Sequence, residues 1–516
     1  MIAKIRYPLS ETNLNRYLPL WLTRTVAMLA LSALLTSCST SSNRTAQGGA
    51  AVAPDSAVSR QAEQTDPRDP QPLRTNTAER SASDPIAASD WINTIEDDFS
   101  LARQLVEEEL QVDLSKIQLQ LVDDAPINEE VTIETQRLVA KQFGQSAFAD
   151  HFLEQIMHPL AGTYAALYSA RLQAVMISRS MLENYAKSIK NKYTDSTEST
   201  MRAALLTLLI HELVHAADDQ RYRIHDNRAL NFRASFAQSA TFEGHAQWVT
   251  RNICKKTGCS IGLQALDNFM FSTDEHSPQL TQPVEAISRS VLEYSYVEGE
   301  RFIDGLAKRD NGAQLIDELL RNPPLDPIQI LAPDTFPDAA RERRNQRLIQ
   351  ASRSAKHIWT QSPWIGVETS PLKGVDLRAD PTRRQAAVDG FTLLIKAMVS
   401  LQFYDQQASG IMPIESTILQ TDSDNTARLF ANMLHSNTQQ SGARVSEEKL
   451  NVRLNDSGTS ASLPIKVYRT AIDGDISYRT TVAVSGHHVV QVSGSTLNQD
   501  LLDDYAVRVL LNLDPA

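Results

Sequence analysis

The sequence predicts an α+β protein in two folded parts, a mainly helical domain with a small sheet followed by a C-terminal α+β domain with a mostly antiparallel sheet. Three observations predict it. Residues 201–220 contain no Gly or Pro and many strong helix formers. Two β-rich runs flank a short polar turn within "AGTYAALYSARLQAVMIS", residues 161–178, which reads as a hairpin. After residue 410, short alternating segments follow one another with a helix on either side of the group, the pattern of a small sheet covered by helices. The chain has 516 residues, of which 42% are hydrophobic, enough for a substantial core in two or three domains. A net charge of -12 and the lack of any long basic run argue against a nucleic-acid partner.

The first residues read as a targeting segment. Lys4, Arg6, Arg16 and Arg24 precede an apolar run at 25–35 that is too short to span a bilayer but suits the core of a signal peptide. It ends in "LTSC", which resembles the bacterial lipobox. Residues 1–38 are therefore expected to be a lipoprotein signal with Cys38 as the lipidated residue, a plain secretory signal or short anchor helix being the alternative. Ser39 after the cysteine resembles the outer-membrane sorting pattern. Residues 39–88 are rich in Ser, Thr, Pro, Gln and Ala and cannot bury enough apolar surface to offset ordering, so they read as a disordered tether. Of three cysteines, Cys254 and Cys259 remain. In an oxidising compartment they predict a disulfide stapling the turn at Gly258, with a metal-binding role as the alternative.

The folded part begins near residue 89. A helix is expected over 90–110, a strand at 116–122, a further helix from 128 and the hairpin at 161–178. Asp195 and Glu198 fit a capping box ahead of the helix that carries "LLIHELVHAADDQ". Two more helices are expected at 232–253 and 283–308, then a short helix and a Pro-rich loop over 314–337. Residues 341–375 mix charge, Ser and Pro and read as a linker between a domain at 89–340 and a second at 376–516. In that second domain, a helix is expected from Asp380-Pro381 to about residue 403, then a strand near 416, a helix at 424–435, four strands between 449 and 494, and a final helix at 497–513. His487 and His488 sit there as incidental strand residues.

The chemistry concentrates in His-Glu-x-x-His. Four residues turn a helix by about 400°, so His211 and His215 share a face one turn apart, with Glu212 at its edge. Hydrolytic zinc needs three protein ligands, an open position and a nearby carboxylate. Glu243, 28 residues after His215 on the next helix, can complete the set, and Gly244 beside it allows close helix approach.

These residues resemble the gluzincin metallopeptidases. "HELVHAADDQ" followed by "EGHA" looks in particular like a family of bacterial envelope proteins, and the likeness extends over "YVEGERFIDGL" and "PPLDPIQILAP". In the last motif the family pattern carries Ser and a terminal His-Pro where this chain has Asp326 and Ala332. The resemblance implies a zincin-like catalytic fold in which His211, His215 and Glu243 hold Zn²⁺ and Glu212 is the general base. It makes Tyr296 the first candidate for stabilising the oxyanion, with His245 and Tyr294 behind it, and makes the hairpin the edge along which a peptide is laid. Asp219, one turn after His215, is a candidate acceptor behind a ligand imidazole or else a solvated helix-end carboxylate.

The expected protein is a zinc metallopeptidase, a hydrolase of peptide bonds, anchored by its N-terminal lipid on the periplasmic face of the outer membrane. Its partners would be a peptide or protein substrate and, on the alternative reading, envelope proteins bound by a catalytically silent metal-binding scaffold. Hydrolysis of another amide or ester, such as a cell-wall crosslink, uses the same metal chemistry.

Overall fold

The computed structural model describes residues 94–143, 165–180, 182–183, 198–225, 232–271, 292–355, 364–369, 393–405, 414–439, 444–453, 462–472, 478–494 and 499–513. Cys38, the tether and the capping residue Asp195 lie outside them. The fold is α+β, and no helix among the described residues is long and apolar enough to cross a membrane.

The first part is built on helix α1 (Ile95–Leu110), β1 (Gln118–Val122), α2 (Asp124–Phe143) and the hairpin β2 (Ala166–Ser169) and β3 (Ala174–Ser178). These strands form a sheet of order β1-β3-β2, with β1 parallel and β2 antiparallel to β3, so β2 lies at an edge. Every residue of β2 and β3 is buried. Helix α3 (Glu198–Tyr222) runs through the centre of this part, packed against α1, β2, α4 (Phe232–Thr257) and α5 (Ser260–Phe271). Its burial on nearly all sides from Leu208 to Asp218 explains why it carries no polar face.

The helix expected at 283–308 is described from residue 292, and its first stretch, Glu293–Glu298, is a π-helical turn leading into α6 (Gly299–Ala307). Gly244 of α4 meets Gly299 at this junction so closely that a Cβ on Gly244 would lie 2.2 Å from the Gly299 carbonyl carbon. The expected close approach is therefore made between two glycines. Next come α7 (Gly312–Arg321), the short α8 (Ile328–Leu331) and a 3-10 turn at Pro333–Thr335.

The expected linker at 341–375 is corrected. Helix α9 (Ala339–Ala355) occupies its first half, and β4 (Trp364–Thr369) pairs with β5 (Ile395–Asp405) in the second sheet. Arg341, Asn345, Leu348, Ile349, Ser352 and Ala355 form the buried stripe of α9, and the charge that suggested a linker lies on its outer face. Asp326 of the Pro-rich loop is buried beneath this helix. It accepts hydrogen bonds from Arg341 Nε at 2.6 Å, Asn345 Nδ2 at 2.8 Å and the Ile328 N–H at 3.1 Å. Arg341 Nη1 donates onward to the Ile395 carbonyl at 2.8 Å, so the loop, α9 and β5 are tied together.

The helix expected to reach residue 403 is corrected too: its described end is strand β5. A bulge between Ile395 and Ala397 puts Ile395 on one face, whereas Ala397, Val399, Leu401 and Phe403 alternate onto the other. The remaining elements follow expectation: β6 (Ile414–Thr421), α10 (Asp424–Gln439), β7 (Arg444–Arg453), β8 (Ser462–Ile472), β9 (Tyr478–Ser485), β10 (His488–Gly494) and α11 (Gln499–Leu513). Seven antiparallel strands run in the order β4-β5-β6-β10-β9-β8-β7. One face packs on α9 and α11, and the other on α10. His488 is buried at the start of β10, and His487 is an exposed turn residue 3.5 Å from Asp424.

Candidate metal centre

Helices α3 and α4 bring the predicted ligands together. His211 Nε2 lies 3.1 Å from Glu243 Oε2, His215 Nε2 lies 3.2 Å from the same oxygen, and the two imidazole nitrogens are 3.2 Å apart. His211 and Glu243 are fully buried and His215 nearly so. Two bonds of about 2.0–2.1 Å at a tetrahedral angle put ligand atoms roughly 3.3 Å apart. The observed triangle is of that size, and the three residues could hold a metal ion. Two further buried atoms of the set, His211 Nδ1 and Glu243 Oε1, have no hydrogen-bond partner among the described residues. Three buried groups converging through electron-pair donors, with so few hydrogens between them, fit a cation better than a self-contained hydrogen-bond network. Burial opposes ionisation of Glu243, yet the imidazoles of His215 and His211 lower its pKa to about 2.

Glu212 is buried beside this triangle. Its Oε2 accepts the Tyr168 backbone N–H of strand β2 at 2.9 Å, and its Oε1 has no partner among the described residues. Burial pushes its pKa up to about 7, with the charge of Glu243 adding to the rise and His211 and the Tyr168 N–H opposing it. A carboxyl that titrates near neutrality can both accept and return a proton.

Tyr296 belongs to the site, since its ring stacks on His211 with centroids 5.7 Å apart at 24°. The π turn carries Tyr296 and Tyr294 inward together, both buried. Tyr294 is otherwise engaged, for its hydroxyl donates to the Pro327 carbonyl at 2.8 Å and its ring stacks on Phe236. His245 points its Nδ1 at Asp218 Oδ2, 2.8 Å away, so this buried pair ties α3 to α4. That assigns both reserve candidates to structural contacts.

The expectation for Asp219 is corrected, because among the described residues its carboxylate bonds neither ligand imidazole. After α3 the backbone reverses through Arg223, whose φ is 51°, and brings His225 back onto Asp219. Asp219 Oδ1 accepts from the His225 N–H at 3.1 Å and lies 3.0 Å from its Nδ1, while Oδ2 accepts the Tyr168 hydroxyl at 3.4 Å. Sequence reading missed Tyr168, Asp218 and His225. Only the local pattern "ALYS" within the hairpin hinted at the first.

Cys254 and Cys259 form the expected disulfide across the turn between α4 and α5, where Gly258 takes a φ of 82° that suits glycine. They stand outside the metal-binding group, which removes the alternative of a cysteine ligand. No protein-family model matches the chain, and neither a curated protein nor a solved structure is significantly similar to it.

Proposed function

We propose that this chain is a zinc-dependent metallopeptidase of gluzincin type, lipid-anchored in the bacterial cell envelope on the periplasmic face of the outer membrane. The observation that carries the reading is the triangle of His211, His215 and Glu243 with Glu212 beside it. Two imidazoles and one carboxylate on helices suit Zn²⁺ and leave room for a fourth position. When bound, zinc supplies Lewis acidity, polarising a carbonyl and acidifying water.

The protein groups divide the remaining work. Glu212 takes the proton of the attacking water and returns it to the leaving amine, a role that its place beside the triangle suits. Tyr296, whose ring stacks on His211, would donate to the oxyanion. The scissile peptide lies along β2. Ser178 donates to the Ala165 carbonyl at 2.9 Å, which fixes the alternation of the hairpin and turns the backbone groups of Ala166 and Tyr168 away from β3. The Tyr168 N–H on that edge holds Glu212, so strand addition by an extended substrate would use the Tyr168 carbonyl and the Ala166 backbone groups.

The test is metal content of the purified full-length protein by mass spectrometry, with peptide cleavage assayed beside it. The reading expects about one zinc per chain, weakened by Glu243→Ala, and cleavage abolished by Glu212→Gln with zinc retained. Zinc without cleavage would turn the reading to a metal-binding scaffold for envelope partners, and absence of zinc would overturn both.

A further inference from the structure

A cavity of about 430 Å³ opens beside the metal centre, at the end of β2. Two of its walls connect it to the site. Tyr168 donates its N–H to Glu212, and Asp219 lies one helical turn beyond the ligand His215. The rest of the lining is mixed, with Ile133, Leu167 and Ala170 beside three arginines. Arg137, Arg171, Arg223 and His225 face two carboxylates, Glu130 and Asp219.

Both carboxylates are already engaged. Glu130 is paired with Arg171 and accepts the Ser169 hydroxyl at 2.9 Å, and Asp219 is held by His225 and Tyr168. Arg137 and Arg223 are exposed and have no carboxylate partner among the described residues. The backbone adds an independent observation. Of three non-glycine residues with positive φ among those described, Gln173 and Arg223, each at 51°, line this cavity. Arg223 directly follows a helix, where a left-handed residue is ordinarily glycine.

The geometry points to this cavity as a subsite for a carboxylate of the peptide substrate, with Arg223 and Arg137 as its binding cations. The inference rests on the peptidase reading, because it takes the ligand to be a peptide laid along β2. Arginine suits this task because its planar fork pairs both carboxylate oxygens. The carboxylate comes either from an Asp or Glu side chain or from a peptide C-terminus.

The experiment measures binding by fluorescence anisotropy, using full-length Glu212→Gln protein so that peptides persist. Three sets of labelled peptides are compared: a neutral amidated sequence, the same sequence with Glu scanned through it, and the neutral sequence with a free C-terminus. At least one acidic set should bind roughly tenfold or more tightly than the neutral peptide, and added salt should weaken that preference. Which set does so identifies the source of the carboxylate. Adding Arg137→Gln with Arg223→Gln should bring the acidic peptides within about twofold of the neutral one, at unchanged zinc content. Arg223→Gly provides a second variant, since it relaxes the left-handed backbone while removing the cation, and it too should lower the preference. Equal binding of all peptides, or binding of none, overturns the subsite. Equal binding together with cleavage by the wild type leaves the peptidase standing, whereas an arginine-dependent preference without any cleavage supports the subsite and overturns the peptidase reading.

Discussion

Gly244→Ala tests how the helix crossing holds the candidate metal ligands His211, His215 and Glu243. A Cβ at this position would lie 2.2, 2.5 and 2.6 Å from the carbonyl carbon, carbonyl oxygen and Cα of Gly299. The nearest of these falls about 1.2 Å short of an ordinary 3.4 Å contact, and all three atoms are backbone, so no side chain can rotate away. Helix α4 must therefore shift by about 1 Å at the residue after Glu243, whose oxygen sits in a triangle with edges of 3.1–3.2 Å. Overpacking of this kind costs about 1–3 kcal/mol, and the rigidity of the clash favours the upper end. Displacing a ligand's support typically weakens metal binding by roughly 10–100-fold. The assay pairs urea unfolding of the metal-free protein with zinc affinity measured by chelator competition. Gly262→Ala is the control. Its Cβ would approach the Ala203 backbone to 2.2 Å, an equal clash, but at the α3–α5 crossing two turns before His211. It should lower stability comparably and leave zinc affinity close to wild type. Gly244→Ala protein with unchanged zinc affinity, or an equal loss of affinity in both variants, would refute the link between this crossing and the metal site.

Other contacts give further expectations. Asp326→Ala leaves the Arg341 guanidinium buried without its carboxylate and should cost about 3–5 kcal/mol in denaturant unfolding, with recovery when Arg341→Met is added. Replacing Cys254 and Cys259 by Ser releases a link between residues five apart, which should lower stability by about 2 kcal/mol in thermal unfolding while zinc content stays unchanged. Asp219→Asn should leave zinc affinity near wild type, because that carboxylate holds His225 and Tyr168 rather than a ligand imidazole; a tenfold or greater weakening in chelator competition would restore the original expectation.

The readable part of the site is the part written on single helices. His211, Glu212 and His215 are four residues of one helix, and Glu243 announces itself on the next by its neighbour Gly244. Local composition likewise located the hairpin, α3, α4 and most strands of the second sheet, since helix formers, caps, β-rich runs and turn residues are legible within a few residues. Segments whose burial is decided by distant partners were misread. Helix α9 looks like a linker because its outer face is charged, and its buried polar residues Arg341 and Asn345 make sense only once Asp326 lies beneath them. Strand β5 reads as the end of the helix expected from Asp380, although Ala397, Val399, Leu401 and Phe403 alternate onto one buried face once β4 and β6 flank it.

By itself, then, the sequence determined the α+β class, the three residues that could hold a metal ion, the carboxyl of Glu212 beside them and the disulfide, because each depends on spacing along the chain or on residue chemistry. The tertiary structure alone decided what each remaining polar group serves. It gave Asp219 to His225, Asp218 to His245 and the Tyr168 N–H to Glu212. Those pairings follow from where the backbone reverses at Arg223 and how closely α4 can approach Gly299, and a buried polar group bonds whichever partner packing delivers to it.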